Sequence, residues 1–269
     1  MNSLTVSSGK QMKMREEVRY YREYTDDFVE SRQQEEKLPE NFVWLHENIF
    51  YRAAAALLYG IAVIFSFFYS RLYLHIRVVG REKLKTCKGQ GIFLYGNHTQ
   101  PVGDAFAPAM YIFPKRLYTV ADAANLGIPV LGKLLPMLGA LTVPQSLSWM
   151  KPFLNAMKYH LEHGRCIIIY PEAHVWPYCN FIRPFPETSF RYPVQFGAPA
   201  YCMTTTYQKR QRGQRPGITT YIDGPFYPDQ GVGKKEAQRK LHDEIYQCMR
   251  ERSKESTCEY IRYVKITEE

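Results

Sequence analysis

The chain has no Cys-x-x-Cys pair. Its six cysteines, at 87, 166, 179, 202, 248 and 258, show no metal-ligand spacing either. That excludes a zinc ribbon and argues against a disulfide scaffold, so a reducing, cytoplasmic setting is expected. Cys166 lies in an apolar run and reads as a small core residue. No Gly-x-Ser-x-Gly occurs, which removes the serine-hydrolase elbow. Dinucleotide and P-loop glycine fingerprints are missing too. There is no internal repeat and no low-complexity tract. Met1-Asn2-Ser3-Leu4 is followed by polar and charged residues, so no secretory signal is expected at this end. No nucleic-acid module accompanies the basic residues, and no nucleic-acid partner is expected.

What is present is a large apolar and aromatic content. The 269 residues are 45% hydrophobic, with 21 Tyr and 15 Phe. A sizeable core can form. The formal charge of +9 favours anionic partners, such as phosphorylated substrates or an anionic membrane surface. Residues 1–40 form a charge-dense arm. Within it Tyr20, Tyr21, Tyr24 and Phe28 have near-helical spacing, which fits a short docked helix or a solvated arm equally well.

Residues 41–71 read as a membrane-associated helical segment. Between Arg52 and Arg71 no charge occurs, and residues 53–70 are mostly apolar. As a helix this stretch runs roughly 27 Å, just short of a hydrocarbon core. Apolar side chains fall on every side. A buried core helix is the alternative to a membrane-embedded or re-entrant one. Trp44, Phe50, Tyr51 and Tyr73 bracket the segment as interfacial aromatics do. Phe42-Val43-Trp44-Leu45 is placed in the headgroup region.

Residues 72–269 turn to a soluble α/β pattern. Strands are expected at Leu72–Val79, Ile92–Tyr95, Leu117–Ala121, Cys166–Tyr170, Ala198–Thr205 and Ile218–Ile222. Met150, Phe153, Leu154, Met157 and Leu161 keep helical spacing, and Gly164 ends that helix. Ala237, Leu241, Ile245 and Cys248 mark another. Alternating strands and helices predict a mostly parallel sheet flanked by helices.

The chemistry centres on Asn97-His98 and Asp104. They follow an apolar run stopped by Gly96, where a strand gives way to a helix. In open α/β sheets ligands bind there. A carboxylate on one imidazole nitrogen fixes the tautomer and stabilises the imidazolium, leaving the other nitrogen as a general base. Further along stand Gly127-Ile128-Pro129-Val130-Leu131-Gly132 with Met137–Leu141, then Tyr170-Pro171-Glu172-Ala173-His174, then Gly197-Ala198-Pro199. Trp176, Tyr178, Phe181 and Phe185 make the loop after Glu172 apolar, as an acyl groove or as core.

In this order the blocks resemble the glycerophospholipid acyltransferase family, the lysophosphatidic-acid type above all, over roughly residues 72 to 225. The resemblance implies a membrane-associated enzyme. His98, oriented by Asp104, would deprotonate an acceptor hydroxyl that attacks the thioester of acyl-CoA or acyl-carrier protein. No metal and no cofactor beyond that co-substrate is implied. The other implied partners are membrane lipids, at the cytoplasmic face. Asn97, Glu172 and His174 would contribute to substrate binding. The family spaces His and Asp by four residues; here five intervene. Gln145 and Val175 stand where it carries arginines for the acceptor phosphate. Arg183 or Arg191 is therefore expected to supply that charge, unless the acceptor is a non-phosphate lipid or polyol. A non-catalytic lipid-binding relative is the remaining alternative.

Overall fold

The computed structural model describes residues 17–29, 38–210, 213 and 215–266. In chain order the elements are β1 (Glu17–Tyr21), α1 (Ile49–Phe68), β2 (Arg77–Val79), β3 (Ile92–Gly96), α2 (Gly103–Ile112), β4 (Leu117–Ala121) and α3 (Leu131–Leu138). Then follow β5 (Ala140–Thr142), α4 (Met150–Glu162), β6 (Cys166–Ile169), α5 (Arg191–Phe196), β7 (Ala200–Gln208), β8 (Gly217–Phe226), α6 (Lys234–Ser253) and β9 (Ile261–Lys265).

Seven strands form the main sheet in the order β2-β8-β7-β3-β6-β4-β5. Every pairing is parallel except β7 with β8. β3 and β6 are the unbroken apolar runs of the sequence, and they are buried at every position. Such strands need cover on both faces. Side chains alternate between two cores accordingly. Phe93, Tyr95 and Ile167 meet α4 and α6 through Phe153, Met157, Leu241 and Ile245. Ile92, Leu94 and Ile168 meet α2 through Ala107, Tyr111 and Ile112. The carboxyl ends of β3, β6 and β7 therefore open at one pole.

Three expectations change. Leu72–Val79 is a strand only over Arg77–Val79, because the apolar helix continues through a wider π-type turn at Tyr69–Tyr73. The tyrosine-rich arm docks as a strand rather than a helix: β1 pairs in parallel with β9, with Tyr21 opposite Lys265. Its aromatics pack on Trp176, with the Tyr21 ring at 4.7 Å and the Phe28 ring at 5.1 Å. Trp44 is bound to the domain, since its Nε1 donates to the Thr142 carbonyl at 2.8 Å and its ring meets Phe153.

α1 is long and apolar enough to cross a membrane, yet only 17% of its most apolar window is buried in the protein. It lies against α2 and α3. Its inward contacts are small or hydroxyl-bearing. Ala55 and Ser66 are buried, Ser66 Oγ donates to the Phe106 carbonyl at 2.6 Å, and Tyr59 OH accepts from Leu117 N at 2.8 Å. Leu57, Ile61, Ile64, Phe65 and Phe68 point outward, each more than half exposed. The helix thus has two faces after all, with the large apolar side chains on the outside. That is the reverse of a surface helix in a water-soluble protein.

Candidate active site

β3 runs out at Gly96, and the residues that follow are fixed one by one. A Cβ on Gly96 would stand 2.7 Å from the Tyr170 ring, so glycine is what lets that ring close in. Asn97 is buried. Its side chain donates to the Thr205 carbonyl at 2.9 Å and accepts from Thr205 N at 2.8 Å. It prolongs the β3–β7 ladder by one side chain, and both its polar groups are used there. Asn97 thus holds the turn rather than facing a substrate.

His98 comes next, and its ring stacks on Tyr170 with centroids 4.4 Å apart. Its Nδ1 lies 2.8 Å from Asp104 Oδ2. The same oxygen accepts from Thr99 N at 2.8 Å and Gln100 N at 2.9 Å. The five-residue spacer is therefore a loop wrapped around one carboxylate oxygen at the start of α2, where the helix dipole also favours negative charge. Tyr170 OH donates to the Asp104 carbonyl at 2.7 Å. Burial holds that phenol far above its ordinary range, so it stays a donor. Tyr207 OH bonds Thr99 Oγ1 at 2.8 Å and accepts from Gln100 Nε2 at 2.7 Å. With Nδ1 committed, Nε2 is the imidazole atom left to take a proton. The His98 side chain is 21% exposed, enough for a reactant to reach it.

Glu172 follows β6 and is a junction. Oε2 accepts from His98 N at 3.0 Å and from Arg183 Nη2 at 3.0 Å, and Oε1 accepts from Arg183 N at 2.9 Å. The side chains of Glu172 and Arg183 are each 1% exposed. Arg183 also donates to the Tyr24 carbonyl at 3.1 Å and to the His174 carbonyl, with its guanidinium 4.6 Å above the Trp176 ring. Nη1 and Nη2 are engaged inside the protein and the guanidinium is fully buried, so Arg183 does not present its charge to an acceptor phosphate. Arg191 is not brought to His98. It sits at the start of α5, on the sheet face opposite α2, against Tyr192 and 3.7 Å from Met150 Sδ. His174 turns to Asp27, with Nδ1 at 3.3 Å from Oδ2. Trp176 and Phe185 are core, in the aromatic clusters around Tyr21 and Phe190.

Ala173 occupies the left-handed region with φ +64. The backbone there keeps a conformation that suits glycine, with a Cβ added. Ala173→Gly is expected to raise the unfolding free energy by about 1 kcal/mol. Urea unfolding checks this, and a lower midpoint would mean the turn is not left-handed in solution.

Sequence reading missed Tyr170, Tyr207, Thr99, Gln100 and Thr205 as parts of this site. Thr205 and Tyr207 stand over 100 positions from His98, and only strand pairing joins them. The one cluster with metal-ligand chemistry among the described residues is Cys202, Asp223 and Cys248. Asp223 is already taken by Lys83 at 2.6 Å and Arg252 at 2.7 Å, which suits a cation poorly.

Residues 75–206 match the family model described as Acyltransferase. No curated protein sequence matches the chain. A solved structure with a similar fold is the 1-acyl-sn-glycerophosphate (LPA) acyltransferase PlsC from Thermotoga maritima. It is 15% identical with a TM-score of 0.56, over 80% of this chain and 86% of that one. The segment that matches runs from before β2 into β7 and contains His98, Asp104 and Glu172. Residues 75–206 of this chain are thus an Acyltransferase domain.

Proposed function

We propose that the protein is an O-acyltransferase moving a fatty acyl group from an acyl thioester to the free hydroxyl of a lysophosphatidic-acid-like lipid. The observation that carries this is the 2.8 Å contact between His98 Nδ1 and Asp104 Oδ2. It favours the tautomer with the proton on Nδ1, so Nε2 accepts the hydroxyl proton as oxygen attacks the thioester carbonyl. The C–O ester bond forms, the C–S bond breaks, and the imidazolium returns its proton to the leaving thiolate. The donor is acyl-CoA or acyl-carrier protein. Asn97 and Glu172 act through His98 by holding its loop. The exposed apolar face of α1 supports a helix lying in the membrane, with its carboxyl end at the level of α2 and the site.

A second reading, acyl transfer to a lipid or polyol without phosphate, is favoured by the burial of Arg183 and the placing of Arg191 behind the sheet. Among the described residues, Arg215 in the connection that leaves the carboxyl end of β7 is exposed and donates to Tyr73 OH at 2.8 Å. Labelled acyl thioester with phosphorylated and neutral lyso-acceptors separates the readings. For a phosphorylated acceptor, Arg215→Ala is expected to raise KM several-fold and leave kcat near the parent value. Equal turnover of both acceptor classes, unchanged in Arg215→Ala, would favour the neutral acceptor. No product from any acceptor would count against the enzyme reading itself.

A further inference from the structure

A cavity of about 590 Å³ opens at the opposite pole, beneath the amino end of α1. Arg52, Arg116 and Arg165 converge on it. None of them enters an ion pair among the described residues. Arg116 precedes β4 and Arg165 precedes β6, so both stand at the amino ends of the strands. Ser66, one hydrogen bond from α2, marks the level of the candidate active site. Arg52 lies about 21 Å further back along α1 by helical rise. The cavity is therefore separate from the His98 site.

Three guanidiniums stand in its wall. His160 is 4% exposed and lines the cavity. Burial first, then the Arg165 and Arg116 guanidiniums, push its imidazole down to about 3, so the ring is neutral. Its Nδ1 accepts from Arg165 Nη1 at 2.7 Å, which leaves the proton on Nε2. That N–H, like Arg116 Nε, is closed off from the cavity space, so the groups that can meet a guest are the guanidinium ends. The amino end of α1 adds positive potential. Guanidinium forks suit phosphate in geometry and charge.

The remaining wall mixes apolar side chains with Glu47, His46 and the tyrosines Tyr51, Tyr118 and Tyr159. Trp44, Leu45, Ile49, Ala53 and Ala56 line it, and three of these belong to the first turns of α1. The outer face of that same helix is the exposed apolar surface, with Phe50 81% and Leu57 70% exposed. A headgroup seated among the arginines would have its chains leave along this face. We propose that the cavity binds the phosphomonoester headgroup of a membrane lipid, at a second site remote from His98.

The test uses the full chain carrying His98→Ala, so that binding is read without turnover and stands apart from the acyl-transfer reading. Phosphatidylcholine vesicles are doped with phosphatidic acid or, at matched surface charge, with phosphatidylglycerol. Tighter binding to phosphatidic acid, by about tenfold, is expected. Two variants address the cavity. Arg52→Gln with Arg165→Gln removes charge, and Ala53→Phe fills volume while leaving charge alone. Each is expected to abolish the preference, with adsorption to anionic vesicles persisting through α1 and an unchanged circular-dichroism spectrum. Inorganic phosphate is expected to compete only weakly. Equal binding to the two vesicle types, or a preference surviving in both variants, would overturn the proposal. Inorganic phosphate bound as tightly as the lipid would make this a free-phosphate site and overturn it as well.

Discussion

His98→Ala is expected to lower acyl transfer by about 10²–10⁴-fold while the protein stays folded. The loss should fall on kcat, because Nε2 acts as the hydroxyl attacks. The side chain itself does little for stability. It is partly exposed, and among the described aromatics its ring packs on Tyr170. The backbone bonds that set the loop, His98 N to Glu172 and Trp176 N to the His98 carbonyl, survive the substitution. Asp104→Asn separates orientation from basicity. Its side-chain oxygen can still accept from Thr99 N and Gln100 N, but the charge that steadies the imidazolium is gone. A turnover loss with little change in KM is expected. A folded His98→Ala protein with near-parent kcat would remove His98 as the base and return attention to the lipid-binding alternative.

The parts legible in the sequence are those governed by local rules. β3 and β6 are short apolar runs with a turn signal after them, so their place in the middle of the sheet could be read directly. The meeting of His98 and Asp104 was legible because both lie at one strand–helix junction. What was not legible depends on distant partners. Arg183 follows Glu172 by 11 residues, and nothing local says whether its charge faces water or the carboxylate. The structure answers through Tyr24, Trp176 and Glu172, which come from three segments. The tyrosine arm misled for a related reason. Four aromatics near a 3.6-residue period look helical, yet β9 offers an edge, and a two-stranded pairing plus the Trp176 ring outweighs local spacing. In α1 a hydrophobicity count could not show that the small and hydroxyl-bearing residues share one side. Ala55, Tyr59 and Ser66 fall together only once α2, α3 and β4 supply the neighbours.

Arg183→Ala is expected to be the most destabilising of these changes, by about 3–5 kcal/mol. The guanidinium is fully buried, so its removal leaves the Glu172 carboxylate in the protein interior without a counter-charge. It also frees the Tyr24 and His174 carbonyls and empties the space above Trp176. For a chain of this size such a loss corresponds to a fall of about 5–9 °C in Tm. Catalysis should suffer at the same time, because Glu172 then shifts and it is Glu172 that fixes His98 N. The double variant Glu172→Gln with Arg183→Met is expected to lose much less than the sum of the two single changes, since neither side is left with an unpaired charge. Additive losses would mean that the two groups do not act as a pair. A phosphate-contacting arginine gives the opposite pattern, a raised KM for phosphorylated acceptors at parental Tm. That outcome would move Arg183 out of the interior and back to the acceptor. Arg183→Lys sharpens the distinction. Lysine keeps the charge for Glu172 but cannot also reach Tyr24 and His174 with one planar fork, so an intermediate Tm, with acceptor discrimination unchanged, is the expected result.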